Sequence, residues 1–251
     1  MFTRNWPRHL LCLSLSWPLG SALACGPDFP MRLLDNRGQS LAELPEGNFQ
    51  FEVNRLGHAI KGLKHIAQSP NGMETADYLE QRNTAEQAGL TAEQQALVKQ
   101  LRSLTDAHQV EAQGASLPAE LTLYLAGAAA FSAGDYGLAA EYFEKVLALP
   151  ADQRALRSTW AAYSLGRALF AMSAEAGASP DLLAQARKAF EQTRQLSIDD
   201  FSDPLELGVA SLGEEARVAR TAGDWDSAIE LYAAQNLHGS AVGYTSLKLL
   251  M

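Results

Sequence analysis

Two stretches of this chain repeat the same small residues and rings at the same intervals. Gly127 is followed seven residues later by Gly134-Asp135-Tyr136, then by Ala139 and, four further on, by Phe143. Ala216, Gly223-Asp224-Trp225, Ala228 and Tyr232 restate every one of those steps. An imperfect copy lies between them: Gly166, Ala186 and Phe190 keep the last step, but the Gly-to-Ala interval grows from 12 residues to 20. Gly177, Ser179 and Pro180 fall in that insertion, where Ser and Pro are placed to cap and start the next helix. Such a pattern constrains the fold severely. Small residues at the first and third marks let two antiparallel helices approach closely. Gly-Asp makes the turn. The ring after the turn and the one seven residues later fill the gaps between helices and between copies.

These residues resemble the tetratricopeptide repeat, a helix–turn–helix unit of about 34 residues. The resemblance covers about 118–240. It implies an all-α fold, a stack of helical hairpins forming a short α-solenoid, because no unit can bury its own apolar face alone. Gly127, Tyr136, Ala139 and Phe143, then Gly166, Ala186 and Phe190, then Ala216, Trp225, Ala228 and Tyr232 become packing positions. Leu121, Leu123, Leu125, Leu138, Val146 and Leu147 complete the first pair. In this family the first helix of each pair lines a concave groove. Counting from the small residue assigns to it Leu121, Tyr124, Ala128 and Phe131; Trp160, Tyr163, Arg167 and Phe170; and Ala210, Gly213, Arg217 and Arg220. The groove implied is aromatic at one end and basic at the other. Aromatic and Arg side chains are the usual anchors of interfaces, and Arg forks onto carboxylates. The implied occupant is a peptide segment with apolar and acidic residues, a free C-terminus among the options.

Upstream, Phe49, Val53, Leu56, Ile60, Leu63 and Ile66 fall on one helical stripe and predict a helix over 49–66. Ser69-Pro70-Asn71-Gly72 breaks it. A weaker helix is predicted from Glu74 to Gln87, stopped by Gly89. Thr91 and Gln94 form a capping box for a third, with Leu97, Val98, Leu101 and Leu104 apolar. Glu111 to Leu117 reads as a loop. This irregular N-terminal helical region, 49–117, is expected to pack on one end of the repeat region, 118–251. At the other end Tyr244, Leu247, Leu249 and Leu250 begin a capping helix. The end at Met251 fits a short cap and a longer array equally.

Residues 1–24 read as an address. Arg4 and Arg8 precede an apolar run from Leu10 to Leu19 and the small residues Ser21-Ala22-Leu23-Ala24, the layout of a secretory signal peptide. The run is too short to span a bilayer, which needs roughly 20 residues. Ala22-Leu23-Ala24-Cys25 also resembles a bacterial lipobox, which implies lipidation of Cys25 and a stable anchor. Gly26 in place of Asp implies the outer membrane and not the inner. Ordinary cleavage after Ala24, giving a soluble periplasmic protein, is the other reading. Cys12 leaves with the signal in either case. Residues 25–48, with Pro27, Pro30, Pro45, Gly26, Gly38 and Gly47, read as an irregular tether.

The formal charge is −9; losing the two arginines of the signal and no acid makes it −11. Nucleic acid is therefore not an expected partner, since its binding runs on Lys and Arg. Hydrophobic residues, at 47%, suffice for a packed core. Two cysteines exclude a disulfide scaffold or a multi-Cys zinc site. His58, His65, His108 and His238 form no metal motif: His58 and His65 share a predicted helix but stand seven apart, not four. His238 to Gly243 lacks the glycine two before Ser240 that a nucleophile elbow needs. No catalytic residue, metal or cofactor is assigned. The expected function is a non-enzymatic protein–protein interaction scaffold of the bacterial envelope, meeting membrane only through lipid on Cys25. Its partners would be envelope proteins or peptide segments. Two alternatives stand beside it. One is a helical cell-wall-active enzyme whose carboxylate, such as Glu52, Glu141 or Glu215, sits in an apolar cleft. The other is a purely structural subunit of an envelope complex.

Overall fold

A computed structural model describes residues 49–66 and 76–250. The signal peptide, Cys25 and the tether lie outside the described residues. Among those described there is no strand. The helices run in order α1 (Phe49–Leu56), α2 (Ala76–Gln87), α3 (Ala92–Leu101), α4 (Ala107–Gln113), α5 (Ala119–Ala133), α6 (Tyr136–Leu147), α7 (Ser158–Met172), α8 (Asp181–Ile198), α9 (Leu207–Thr221), α10 (Trp225–Leu237) and α11 (Ala241–Lys248). A 3-10 turn, Ala151–Gln153, links α6 to α7. No described helix is long and apolar enough to cross a membrane.

From α4 onward each helix packs on the next, so α5/α6, α7/α8 and α9/α10 form a stack of helical hairpins. The Gly-Asp steps explain two of the turns. Gly134 and Gly223 end their helices at φ +83 and +80, a left-handed conformation that costs glycine no steric penalty. The Asp that follows then caps the next helix. Asp135 accepts from the Leu138 amide at 3.0 Å, and Asp224 accepts from the Ser227 amide at 3.2 Å. In the middle pair the longer turn carries Gly177 at φ +79, and Ser179 Oγ accepts from the Asp181 amide at 3.3 Å.

The small residues meet the rings. A Cβ placed on Gly127 would stand 2.7 Å from Phe143, and one on Gly166 would stand 2.6 Å from Phe190. In the third pair Ala216 and Tyr232 share a buried cluster. Ala139, Ala186 and Ala228 are fully buried. The ring after the turn behaves unequally. Tyr136 packs edge-on against Phe131 at 5.2 Å, whereas Trp225, expected to fill a gap, is 53% exposed. The position that corresponds to Phe131 is Arg220, so Trp225 has no ring behind it.

First helices of successive pairs touch, α5 with α7 and α7 with α9, while second helices pack on one another much less. The row therefore bends with the first helices inside. The N-terminal segment packs across this stack and corrects two expectations. The helix predicted over 49–66 stops at Leu56. Residues 57–66 are drawn instead onto α9 and α10. Gly57 lies where a Cβ would stand 2.8 Å from the Ala233 backbone. The Ile60 amide donates to His238 Nε2 and the Ile66 amide to the His238 carbonyl, both at 2.9 Å. Leu63 is nevertheless buried with Val209, Leu212 and Ala234, and the half-buried Ile60 and Ile66 pack against the same cluster. Nor does the segment sit at one end of the stack. Its beginning packs on the third pair, where Val53 shares a cluster with Ala216 and Tyr232, and on α11, with Phe49 5.1 Å from Tyr244. Next, α2 meets α5 and α7, and α3 and α4 close over the first pair. A further helix, α4, begins in the predicted 49–117 region ahead of the expected loop and runs into it, to Gln113. Asp106 caps it by accepting from the His108 and Gln109 amides.

Candidate functional site

The inner face divides lengthwise into a covered half and an open half. The covered half is built from the N-terminal parts of the first helices. Trp160, expected in an open groove, is 1% exposed. It packs with Leu205 and Leu207, and Tyr78 and Ala85 of α2 close over this cluster with Tyr124 and Tyr163. Tyr124 also meets Trp160 edge-on at 5.5 Å and Phe143 at 5.7 Å. Tyr163 stacks edge-on against Phe190 at 5.8 Å, and burial pushes its phenol far above the ordinary range, with Glu214 adding to the rise. Leu121, also counted to the groove, is buried in the main core. The aromatic end of the groove is thus occupied by the protein's own N-terminal segment.

Charged side chains pin this cover. Arg157, 2% exposed, donates through Nη2 to the carbonyls of Glu86 at 2.8 Å and Ala85 at 3.2 Å. Its guanidinium carbon lies 4.5 Å from the Trp160 ring centre. Glu86 is gripped by Arg102, whose Nε donates to Oε2 at 3.2 Å and whose Nη2 donates to Oε1. Beneath them the buried Glu120 carboxylate accepts from the Arg157 and Leu156 amides at 2.8 and 3.0 Å. Burial raises the Glu120 pKa, and those two amides oppose the rise. Burial likewise pushes the Arg157 guanidinium below its ordinary value, in spite of Glu86 and Glu120.

The open half is a staircase of arginines on rings. Arg167 of α7 lies over Phe131 of α5 at 5.2 Å, and Arg217 of α9 lies over Phe170 of α7 at 5.4 Å. The same step of the repeat produces both, so each cation bridges neighbouring first helices. Arg167 and Arg220 are exposed. Arg217 is partly neutralised by Glu214 at 2.7 Å. Between α5 and α7 a cleft of about 130 Å³ is lined by Tyr124, Ala128, Phe131, Phe143, Ser164 and Arg167. It has room for one medium side chain, with a guanidinium and a hydroxyl at its rim. Gly213 does not line it: a Cβ there would stand 2.6 Å from Gln235.

The other singled-out groups lie elsewhere. Glu215 is buried, but not in a cleft: Arg187 at 2.9 Å and Arg194 at 2.5 Å clamp it between α8 and α9. Glu52 pairs with Arg55 on α1 at 3.4 Å, and Glu141 is exposed on α6. His58 and His65 lie past the end of α1, so the shared helix face assigned to them does not exist. His65 stacks on His238 at 4.9 Å. His108 and Glu111 both meet the Tyr142 hydroxyl, at 3.1 and 2.7 Å, which ties α4 to α6. Among the described residues no three His, Cys, Asp or Glu side chains converge on a metal position. Comparison with family models, with curated proteins and with solved structures finds no match for the protein. The residues that sequence reasoning missed are Glu86, Arg102 and Arg157. Each sits at or near a helix end, with no motif to mark it.

Proposed function

We propose that the protein is an exported, non-enzymatic interaction scaffold of the tetratricopeptide type, held at the periplasmic face of a bacterial envelope by lipid on Cys25. Its working surface is the open half of the inner face. The observation that carries this reading is the pair of cation–ring steps, Arg167 on Phe131 and Arg217 on Phe170, set beside the cleft. Rings held by arginines present flat apolar area at low entropic cost, and two exposed guanidinium groups stand out on a protein of strongly negative charge. An extended partner segment fits, with one apolar side chain in the cleft and carboxylates on Arg167 and Arg220.

The test is site-specific photocrosslinking in the envelope, with the crosslinker at Ser164 in the cleft and at Lys188 on α8 as control. One discrete partner is expected from Ser164 alone, lost when Arg167→Glu and Arg217→Glu are combined. Equal capture from both positions, or capture indifferent to the charge reversals, defeats the reading. Labelling with a palmitate analogue, comparing wild type with Cys25→Ala, tests the anchor separately.

A further inference from the structure

Two rings belong to both halves of the inner face. Tyr124 lines the open cleft with Phe131 and Phe143, and it also packs against the Trp160 cluster that α2 covers. Tyr163 packs against the same covered cluster, yet it feels charges from both halves. Burial raises its phenol, Glu214 adds to the rise and Arg167 opposes it, with Tyr78 of α2 and Arg217 contributing less. The cleft and the cover therefore share a wall.

Charge ties that wall to α2. Arg102 holds the Glu86 carboxylate through Nε at 3.2 Å and through Nη2. Burial lowers the Arg102 guanidinium, but Glu86 and then Tyr124 act the other way, and the balance lies above the ordinary value. The phenol of Tyr124 thus acts on the guanidinium that grips α2, while its ring faces the cleft. The helix itself is held lightly. Among its described side chains only Glu86 is buried, Leu79 is 53% exposed, and no helix packs along its backbone. Arg157 adds two bonds to its last-turn carbonyls but leaves its own Nε buried without an acceptor. A helix seated this way opens locally at low cost. Each opening takes Glu86 from Arg102, and Tyr78 and Ala85 from the Trp160 cluster. Tyr124 then has vacated space on one side and the cleft on the other, with its ring contacts to Phe143 and Trp160 left to hold it.

We propose that α2 is a latch on the open cleft: seated, it braces Tyr124 through Arg102 and keeps the cleft shaped for a side chain; unseated, it frees that wall and the partner is released. An occupant of the cleft braces the same ring from the opposite side. Filling the cleft and seating α2 therefore favour each other, by the same factor in both directions. This rests on the cleft being part of the working surface, as argued above, and adds how its grip is switched.

The test fills the cleft without the partner. An isobutylthio group is joined by a disulfide to Ser164→Cys in the mature chain, with Cys25→Ala removing the other thiol; a methylthio group at the same position is the control. Hydrogen exchange across 76–87 should run about threefold or more slower with isobutyl than with methyl. Tyr124→Phe keeps the ring and drops the hydroxyl, and it should bring that ratio close to one. In the other direction, Glu86→Lys sets a cation against Arg102 and Arg157 and unseats α2. At equilibrium, 2-mercaptoethanol should then release the isobutyl group about threefold more readily, with release of the methyl group unchanged. Should Glu86→Lys fold poorly, the exchange comparison in the chain with Glu86 intact decides alone. Equal exchange with the two groups overturns the proposal. So does faster exchange with isobutyl, which would make α2 a competitor for the cleft, and so does a ratio that survives Tyr124→Phe. A partner still captured through Ser164 in those cases leaves the scaffold reading intact and removes only the latch. Loss of that capture with the exchange ratio intact removes the scaffold reading and leaves the coupling.

Discussion

The hairpin stack and the segment that straps it are held together by different physics. In the stack, glycine and alanine admit a ring from the next helix, and the contact is dry, local and indifferent to charge. Gly127 and Phe143 stand 16 residues apart and Gly166 and Phe190 stand 24 apart. The strap (49–66 with α2) buries Val53 and Leu63 against the third pair, but elsewhere it is fastened by single polar groups acting over long stretches of sequence: Ile60 to His238 spans 178 residues and Arg157 to Glu86 spans 71. The first kind of contact is strong and cooperative. The second is exchangeable, because each of its bonds has an equivalent that water or a partner can supply. A region built this way can open while the scaffold under it stays folded.

Phe190→Ala presses hardest on that contrast. It removes a fully buried ring and leaves a cavity beside Gly166, so about 3–5 kcal/mol should be lost in denaturant unfolding. Gly166→Ala, which drives a methyl into the same ring, should cost about 1–3 kcal/mol. Trp225→Ala at the solvent-facing ring should stay within about 0.5 kcal/mol. Comparable losses at Phe190 and Trp225 would mean that the ring contacts do not hold the stack.

The buried clamp at Glu215 sharpens the comparison, being a polar contact inside the stack. Removing one partner of a buried pair strands the other, typically at roughly 3–5 kcal/mol. Because Arg187 remains, Arg194→Met should fall at or below the low end of that range. It should lower the unfolding midpoint of the whole stack, not release one segment. A local loss of amide protection confined to α8 would place Glu215 with the strap's exchangeable contacts instead.

Legibility follows the same division. The repeat intervals were readable because each places a small residue and its ring in one hairpin, where spacing fixes geometry. Even so, spacing could not tell Tyr136 from Trp225. That difference lies in Phe131 against Arg220, one helix earlier. The open half of the candidate site was readable for the same reason, since Arg167 and Arg217 occupy one repeat position. The cover was not. Ile60, Leu63 and Ile66 carry a helical stripe and pack it without a helix, because the amides of Ile60 and Ile66 find His238 in place of carbonyls one turn back. Nothing within a few residues of Glu86 announces that its carboxylate and carbonyl will each meet an arginine.

Glu86→Gln tests the strap where it is weakest. Arg102, itself 29% exposed, keeps an acceptor and reaches water but loses its ion pair with a buried carboxylate, so the loss falls between the roughly 1 kcal/mol of an exposed pair and the roughly 3–5 kcal/mol of a buried one, and it falls on the local opening of α2. Global unfolding should barely move, while hydrogen exchange across 76–87 speeds several-fold. A matching fall in protection of α7 and α8 would show that α2 is an integral layer of the stack and not a cover.

The smallest expected effect concerns pH and the strap's other fastening. Burial lowers the His238 pKa from its ordinary 6.5, and the nearby His65 lowers it further, against a contribution from the Lys64 backbone. Lys64 itself faces Asp200 at 3.7 Å. The folded state therefore binds fewer protons at His238 than the unfolded state between the lowered value and 6.5, so stability rises with pH across that window. Equivalently, His238's contribution is complete above 6.5 and is lost as pH falls through the lowered value. Protonation takes away the lone pair that receives the Ile60 amide. The Ile60 and Ile66 amides should thus lose protection as pH falls below 6.5, while the Phe190 amide, deep in α8, keeps its own. His65→Ala removes the second cause of the lowered pKa and leaves the first. His238 should then titrate closer to 6.5, and the pH window should narrow without closing. Parallel pH dependence at Ile60 and Phe190 would mean that His238 belongs to the stack's own core, and the contrast between the two regions would fail at this joint.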